Sequence, residues 1–356
     1  MDVPPLHAIV MAGGSGTRFW PASRGARPKQ FLPIGGGLPL IAATHARLRG
    51  LVPDENVLVV TAESQSALVR EALPMLPPEN VLAEPCARNT APCVALAALE
   101  VERRERSGVQ IVLPADHVIE PAESFRASLA AAARYAAGEE SLVTFGIRPD
   151  RPATGYGYIE AGDQVARADG IPVLAVERFV EKPELARAEE FLASGRFLWN
   201  AGIFVWSTSA ILAALEEHVP ETLAALRAVR SPADLARVYP TLAAEPIDVA
   251  VLERARNVRT MPIDYRWSDV GSWAALGELG EADEQGNRLS GAARLVALDA
   301  RDCIAYAEEG HVVALVGVED LVVVHAKNAT LVVPRARAEE VKRIVERLRN
   351  DAPEFL

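Results

Sequence analysis

Five short runs rich in Val, Ile and Leu recur through the first part of the chain: His7–Met11, Val57–Thr61, Val81–Ala83, Gln110–Leu113 and Leu142–Gly146. Each is too continuously apolar for a strand with one face in water, so each reads as a strand buried on both sides. Between them lie amphipathic or Ala-rich stretches with helical spacing, Leu38–Gly50, Glu63–Leu73, Thr90–Arg106 and Ser124–Ala137. Strands alternating with helices imply a parallel sheet covered on both faces. Right-handed crossovers then predict an α/β fold with a Rossmann-like, doubly wound sheet.

The alternation changes in the middle of the chain. Tyr156–Glu160, Val173–Phe179 and Gly202–Trp206 read as further strands, which makes the expected sheet mixed. A helix opens at Pro183, another is capped by Ser207, and two more are expected at Pro246–Arg254 and Gly271–Leu279. From about Glu281 the pieces become short and β-rich: Arg294–Leu298, Cys303–Tyr306, Val312–Val316, Leu321–His325 and Thr330–Val333, then an amphipathic helix at Ala336–Leu348. Neither a low-complexity tract nor a long repeat is evident. The polar stretch LGEADEQGN, Leu279–Asn287, is the expected linker. The expected domains are therefore residues 1–280 and a small β appendage at residues 281–356.

Charge is unevenly placed. The formal net charge is −11, yet no Asp or Glu occurs between Val3 and Pro53, a stretch with six Lys and Arg residues. A local positive field in an acidic protein suits a small anionic ligand and argues against nucleic-acid or anionic-membrane binding. Cys86, Cys93 and Cys303 have no metal-ligand spacing, and their odd number fits a reducing cytoplasm better than a disulfide framework. The N-terminus lacks a signal-peptide pattern, and no apolar run approaches the roughly 18 residues of a membrane span.

The basic stretch opens with AGGSGTRFWPASRGARPKQF, Ala12–Phe31, directly after the first strand. Glycines there let backbone N–H groups approach a phosphate. It is not a dinucleotide fingerprint, because the third glycine position is Phe19, and not a P-loop, because Thr17 and Arg18 follow Gly16. Pro21, Pro28 and Pro33 keep the segment from becoming one helix. An extended loop of this kind suits wrapping Arg18 and Lys29 around a triphosphate; a solvated basic loop is the bland alternative.

Two carboxylates stand out. Asp116 ends a strand in LPADHVI, Leu113–Ile119, and Asp269 lies in WSDVGSW, Trp267–Trp273. Either suits Mg²⁺, which takes one or two protein carboxylates and leaves other positions to phosphate and water; either also suits a helix cap or turn. His117 reads as a local hydrogen-bond partner. FVEKP (Phe179–Pro183), WNAGIF (Trp199–Phe204), TGYGYIE (Thr154–Glu160) and EPCARNTAP (Glu84–Pro92) each place polar groups in apolar settings. Glu181, Lys182 and Asn200 supply the cation and hydrogen-bonding groups that a phosphorylated sugar requires.

Taken in order, GGSGTRFWPASR…PKQF, EPCARNTAP, LPADHVI, TGYGYIE, FVEKP, WNAGIF, PIDVAVLER and WSDVGSW resemble the sugar-1-phosphate nucleotidyltransferases, and among them the mannose-1-phosphate guanylyltransferases. The motifs span roughly residues 8–273. The tail resembles the family's short β-helical appendage more loosely. The resemblance implies the nucleotide-diphospho-sugar transferase fold and the reaction of GTP with mannose 1-phosphate to give GDP-mannose and pyrophosphate. It implies Arg18 on the leaving β- and γ-phosphates, Lys29 on the α-phosphate, Lys182 on the sugar phosphate, and Asp116 and Asp269 on Mg²⁺. Glu181, Asn200, Tyr156 and Gly157 would face the sugar; Ala12, Gly13, Gly14, Glu84, Arg88 and Asn89 would face the base. Phe19 stands where the family usually has leucine, a change expected to affect packing only.

The bifunctional members carry an additional isomerase domain, so a chain ending at Leu356 is expected to be the monofunctional form. A cytoplasmic homodimer, paired through the β appendage, is also expected. Another nucleotide or sugar 1-phosphate such as glucose 1-phosphate, and a non-catalytic nucleotide-sugar sensor, stand as alternatives.

Overall fold

The structure is a computed structural model, which describes residues 4–356 apart from residues 15, 35–36, 106, 280, 292 and 309. Ser15 of the glycine-rich loop, the expected helix end at Arg106 and the expected domain boundary at Gly280 thus lie outside the described residues. The chain divides into two compact units, each built from three segments. One comprises Met1–Gly13, Arg47–Pro114 and Ile119–Trp267; the other comprises Gly14–Ala46, Ala115–Val118 and Ser268–Leu356.

The first unit holds a nine-stranded mixed sheet. Its strands are β1 (Leu6–Ala12), β2 (Val57–Ala62), β3 (Val81–Glu84), β4 (Val109–Pro114), β5 (Leu142–Ile147), β6 (Tyr158–Ala168), β7 (Ile171–Val180), β8 (Phe197–Ser207) and β9 (Val258–Ile263). They lie in the order β3-β2-β1-β4-β8-β5-β9-β7-β6, with β8 also paired to β6. The four strands β3, β2, β1 and β4 are parallel, with Ala8 opposite both Val57 and Ile111. The mixture comes from the middle of the chain. β8 runs antiparallel between β4 and β5, and the β6–β7 hairpin closes the far edge.

After α1 (Leu40–Leu48) and α2 (Ser66–Ala72) in the chain, the helices of this unit include α3 (Thr90–Arg104), α4 (Ala122–Gly138), α5 (Leu185–Ser194) and α6 (Thr208–His218). α3 and α6 bury Val94, Ala98, Ile211 and Leu215 in one core with Ile9, Leu58, Val112 and Trp206. Ser207 caps α6 as expected, its hydroxyl accepting from Ala210 N–H at 3.1 Å. Two further helices, α7 (Pro220–Arg227) and α8 (Pro232–Val238), were not legible beforehand. Both are shorter than three turns, too brief for periodicity to stand out. The helix expected at Pro246–Arg254 is a π-helical turn at Asp248–Leu252.

In the second unit the β-rich tail has strands β10 (Arg288–Gly291), β11 (Arg294–Leu298), β12 (Ile304–Ala307), β13 (Val312–Val316), β14 (Leu321–Ala326) and β15 (Ala329–Pro334). β10, β12 and β14 stack in parallel as one sheet, finished by antiparallel β15, and β11 pairs with β13 as another. Ile304 lies opposite Val322 and Arg294 opposite Val312, the same eighteen-residue step in both sheets. This is a β-helix-like coil. Its period is hidden in the sequence because each turn requires only small or apolar residues at inward positions, not fixed identities. Asp299, Asp302, Asp320 and Lys327 turn in the left-handed region. Asp tolerates this backbone better than most residues.

The expected terminal helix at Ala336–Leu348 is a 3₁₀ turn at Arg335–Glu340 followed by the α-helix Val341–Asp351. The basic loop belongs to this second unit through its aromatic residues. Phe19 and Trp20 join Trp273, Tyr306, Val324 and Val341 in one core. Trp273 Nε1 donates to the Trp20 carbonyl at 3.0 Å, and Trp20 Nε1 donates to the Phe355 carbonyl at 2.9 Å.

Candidate active site

Within the second unit, the 3₁₀ turns Thr17–Phe19 and Lys29–Phe31 replace the helix that the prolines prevent. The loop brings Arg18 and Lys29 to one open cavity of about 340 Å³, whose lining also includes Asp116, His117 and Asp269. All four residues expected to manage the triphosphate and metal, Arg18, Lys29, Asp116 and Asp269, therefore share one cavity. Arg18 is exposed, whereas Lys29 is buried.

Burying an ammonium requires partners. Lys29 Nζ donates to Asp116 Oδ2 at 2.9 Å and to the Asp269 backbone carbonyl at 2.7 Å, and lies 5.5 Å from the centre of the Phe19 ring. An ammonium has three N–H donors, so this geometry leaves one for a ligand. Burial pushes the Asp116 carboxyl up; the positive charges of Lys29 and His117, with hydrogen bonds from Lys29 and its own backbone, outweigh that and hold it below the usual range. It is thus an anion at neutral pH.

Two glycines make room for this cluster. Gly16 has φ 58°, and a Cβ there would lie 2.5 Å from Lys29 Cβ and 2.8 Å from Lys29 N. A Cβ on Gly271 would lie 2.9 Å from Asp269 Oδ2. Val270, the residue between Asp269 and Gly271, is fully buried at φ 47°, an uncommon backbone for a β-branched residue.

The first unit holds the residues expected to face the sugar. Asn200 on β8 and Gly157, just before β6, are joined by the Asn200 N–H to Gly157 carbonyl bond at 2.8 Å. A Cβ on Gly157 would meet Glu181 Oε2 at 2.6 Å and Asn200 Cβ at 3.4 Å. Gly157, Glu181 and Asn200 therefore meet. Tyr156 lies edge-on to Trp199 and Trp267, with ring centres 5.0 and 5.3 Å away. Lys182, exposed and at φ 45°, pairs with the adjacent Glu181, whose own N–H donates to Glu253 Oε1 at 3.1 Å.

One polar residue of this cluster had no expected role. Asp248, at the start of the π-helical turn, accepts from Asn200 Nδ2 at 2.9 Å. The signal was the carboxylate inside the otherwise apolar stretch Pro246–Leu252 of the PIDVAVLER motif.

The base-facing candidates with described side chains have partners inside the protein. The buried Glu84 carboxylate accepts a short hydrogen bond from Tyr239, and burial raises its carboxyl above the usual range despite that bond. Asn89 caps α3, its Oδ1 accepting from Thr90 N–H at 3.0 Å, and Arg88 donates to the Pro240 carbonyl. The Ala12 carbonyl accepts from Thr61 Oγ1 at 3.0 Å, while Gly13 and Gly14 are exposed with open space where a Cβ would stand.

A nucleotidyl transferase family model matches residues 7–286, which carry all of these groups. The chain belongs to the nucleotidyl transferase family. A second model, for a MannoseP isomerase/GMP-like beta-helix domain, matches residues 293–348 of this nucleotidyl transferase. Salmonella typhimurium ManC, described as a mannose-1-phosphate guanylyltransferase, is 42% identical over 97% of this chain and 74% of its own length. The Xanthomonas campestris xanthan biosynthesis protein XanB is 40% identical over 98% of this chain and 74% of its own. A solved structure from Thermus thermophilus, described as a mannose-1-phosphate geranyltransferase, matches with a TM-score of 0.88 at 38% identity, covering 97% of this chain and 99% of that one. No helix among the described residues is long and apolar enough to cross a membrane.

Proposed function

We propose that this nucleotidyl transferase moves GMP from GTP to mannose 1-phosphate, giving GDP-mannose and pyrophosphate. The observation that carries the chemistry is the single cavity holding Arg18, Lys29, Asp116 and Asp269. The mannose and guanine assignments are supported by the relatives described as mannose-1-phosphate guanylyltransferases.

A phosphate oxygen of mannose 1-phosphate attacks the α-phosphorus of GTP in line, and the bond to the β-phosphate breaks as pyrophosphate leaves. The nucleophile is already anionic, so no general base is required. Catalysis is positioning and charge neutralisation. Lys29 offers its remaining N–H to the α-phosphate. Arg18, carried on the 3₁₀ turn and exposed, follows the β- and γ-phosphates as they leave. Lys182 binds the phosphate of the sugar substrate, and Glu181, Asn200, Tyr156 and Gly157 face its hydroxyls. Ala12, Gly13, Gly14, Glu84, Arg88 and Asn89 form the side of the base.

Mg²⁺ fits the donor set. Among the described residues no group of three or more His, Cys, Asp or Glu side chains is placed to hold a metal alone. Two carboxylates with substrate phosphates and water are the usual arrangement for this ion. Asp116, an anion that lines the cavity, supplies one carboxylate, and Asp269 supplies the second. When bound, the ion neutralises phosphate charge.

The same reading places a nucleotidyltransferase domain at residues 1–280 and a short β-helical domain at residues 281–356, supported by the spans of the two family models. It makes the protein a cytoplasmic homodimer paired through the β appendage. Support comes from three free cysteines and from exposed Val296, Leu298, Val312 and Val316 on β11 and β13.

The deciding experiment is pyrophosphate release with Mg²⁺, crossing GTP, ATP, UTP and dTTP against mannose 1-phosphate and glucose 1-phosphate. The expected maximum is GTP with mannose 1-phosphate. A maximum elsewhere would change the substrates and keep the chemistry; no release from folded protein would overturn catalysis.

A further inference from the structure

Asn200 can face a sugar as a donor or as an acceptor, depending on how its amide is turned. The surrounding hydrogen bonds decide which. Its Oδ1 is approached by Thr144 Oγ1 at 2.8 Å and by the Gly202 backbone N–H at 3.2 Å. Thr144 could serve either orientation, because a hydroxyl both donates and accepts. Gly202 N–H can only donate, so the amide atom beside it must be oxygen. That sends Nδ2 toward Asp248 Oδ1, which accepts at 2.9 Å. Both lone pairs of Oδ1 and one N–H of Nδ2 are then engaged within the protein, and one N–H is left.

We infer that Asp248 is a positioning residue that makes Asn200 a donor-only reader of the sugar substrate. The inference rests on the sugar-site reading given above. Asn200 then recognises an acceptor, a hydroxyl oxygen of the sugar or an oxygen of its phosphate, and offers no acceptor in return. Asp248 is suited to this by its place at the first residue of a π-helical turn, where Ala250, Val251 and Leu252 anchor the segment in the core. Thr144 on β5 and Gly202 on β8 hold the opposite side of the same amide, so the donor is fixed from three separate elements.

The test is steady-state kinetics of the full chain with mannose 1-phosphate and GTP varied separately. Asp248→Ala should raise KM for mannose 1-phosphate about tenfold, the loss of roughly one hydrogen bond, while KM for GTP stays within about twofold. Asp248→Asn, whose side-chain oxygen still accepts from Asn200, should recover most of that loss. The exchanged pair Asn200→Asp with Asp248→Asn keeps a hydrogen bond between the two positions but leaves only acceptors at position 200. It should melt near the wild-type temperature and still show the raised KM. This exchange decides the matter if Asp248→Ala does not fold.

Asn200→Ala separates the two levels of the reading. A raised KM for mannose 1-phosphate in Asn200→Ala, with no change in Asp248→Ala or in the exchanged pair, would overturn the positioning role and leave the sugar site standing. An unchanged KM in Asn200→Ala would overturn the sugar-site reading and this inference with it.

Discussion

Lys29 and Asp116 form an ion pair at 2.9 Å, with the lysine side chain 7% exposed and the carboxylate 33% exposed. The lysine is therefore the member that needs the pair, and the aspartate is the more exposed member lining the cavity. Asp116→Asn should lower turnover by about 10²–10³, the usual cost of removing one charge-stabilising group. Asp269→Asn should do the same, measured as initial rates of pyrophosphate release at saturating substrates and Mg²⁺. Near-normal rates in both variants would remove these carboxylates from the chemistry.

The same pair predicts an acid limb in stability. Asp116 holds its proton less tightly in the folded state than in the unfolded chain, where an aspartate titrates near 4. The carboxylate therefore contributes stability above that pH and loses it as pH falls through the depressed folded value. Thermal melts of wild type and Asp116→Asn between about pH 2.5 and 6 should converge at the acid end. Parallel curves would show that the pair adds nothing to folding.

Gly16→Ala should be severe although the side chain added is one methyl group. The residue sits at φ 58°, and its Cβ would come within 2.5 Å of Lys29 Cβ and 2.8 Å of the Lys29 backbone. A left-handed non-glycine residue costs about 1–2 kcal/mol and overpacking about 1–3 kcal/mol. Displacing Lys29 should also reduce turnover. Gly14→Ala, with φ 92° but open space around it, is the comparison: strain without the clash. Equal losses of melting temperature and activity in the two would show that the clash is relieved.

Much of this arrangement was legible in the sequence, and the reasons differ by region. β1, β2, β4 and β5 announced themselves because strands buried on both faces have no polar alternation to hide them. Lys29, Asp116 and Asp269 were legible as charged residues in apolar or glycine-rich settings. Their meeting was not, since positions 29, 116 and 269 are brought together only by tertiary structure. Asp248 was missed because a single carboxylate in an apolar run looks like a turn or cap until its partner is seen. The coil of the tail was readable as short strands but not as a repeat, because Ile304, Val322 and their neighbours share only burial and an apolar character.

Phe19 was expected to affect packing alone. Its ring does pack, 4.8 Å from Trp273 between ring centres, but it also lies under the Lys29 ammonium. A cation over an aromatic face gains about 0.5–2 kcal/mol, more when desolvated. Phe19→Leu should therefore lower the melting temperature and slow turnover by roughly two- to fivefold through a less firmly held Lys29. Thermal melts and kcat together check this. A lower melting temperature with unchanged kcat would return Phe19 to a packing role.

The outward face of β11 and β13 carries Val296, Leu298, Val312 and Val316, with Leu298 directly opposite Val316. A coil that needed only solubility would alternate to polar residues here. Leu298→Glu with Val316→Glu should halve the solution mass if this face pairs two chains, as read by light scattering after size exclusion. An unchanged mass would place any interface elsewhere.

Asp248 gives the last prediction, with the opposite sign to Asp116. Burial and the nearby Glu181 push its carboxyl up to about 7, against its own backbone N–H, Lys182 and Asn200. An unfolded aspartate titrates near 4. Between those values the folded state binds more protons than the unfolded state, so stability falls as pH rises through the window. The penalty is complete above about 7 and absent below about 4. Asp248→Asn carries no charge to desolvate, so its melting temperature should gain on wild type steadily from about pH 4.5 to 7.5. A constant difference between the two curves would mean that Asp248 ionises as an ordinary carboxyl group, and that Asn200 is held by an anion throughout the working range.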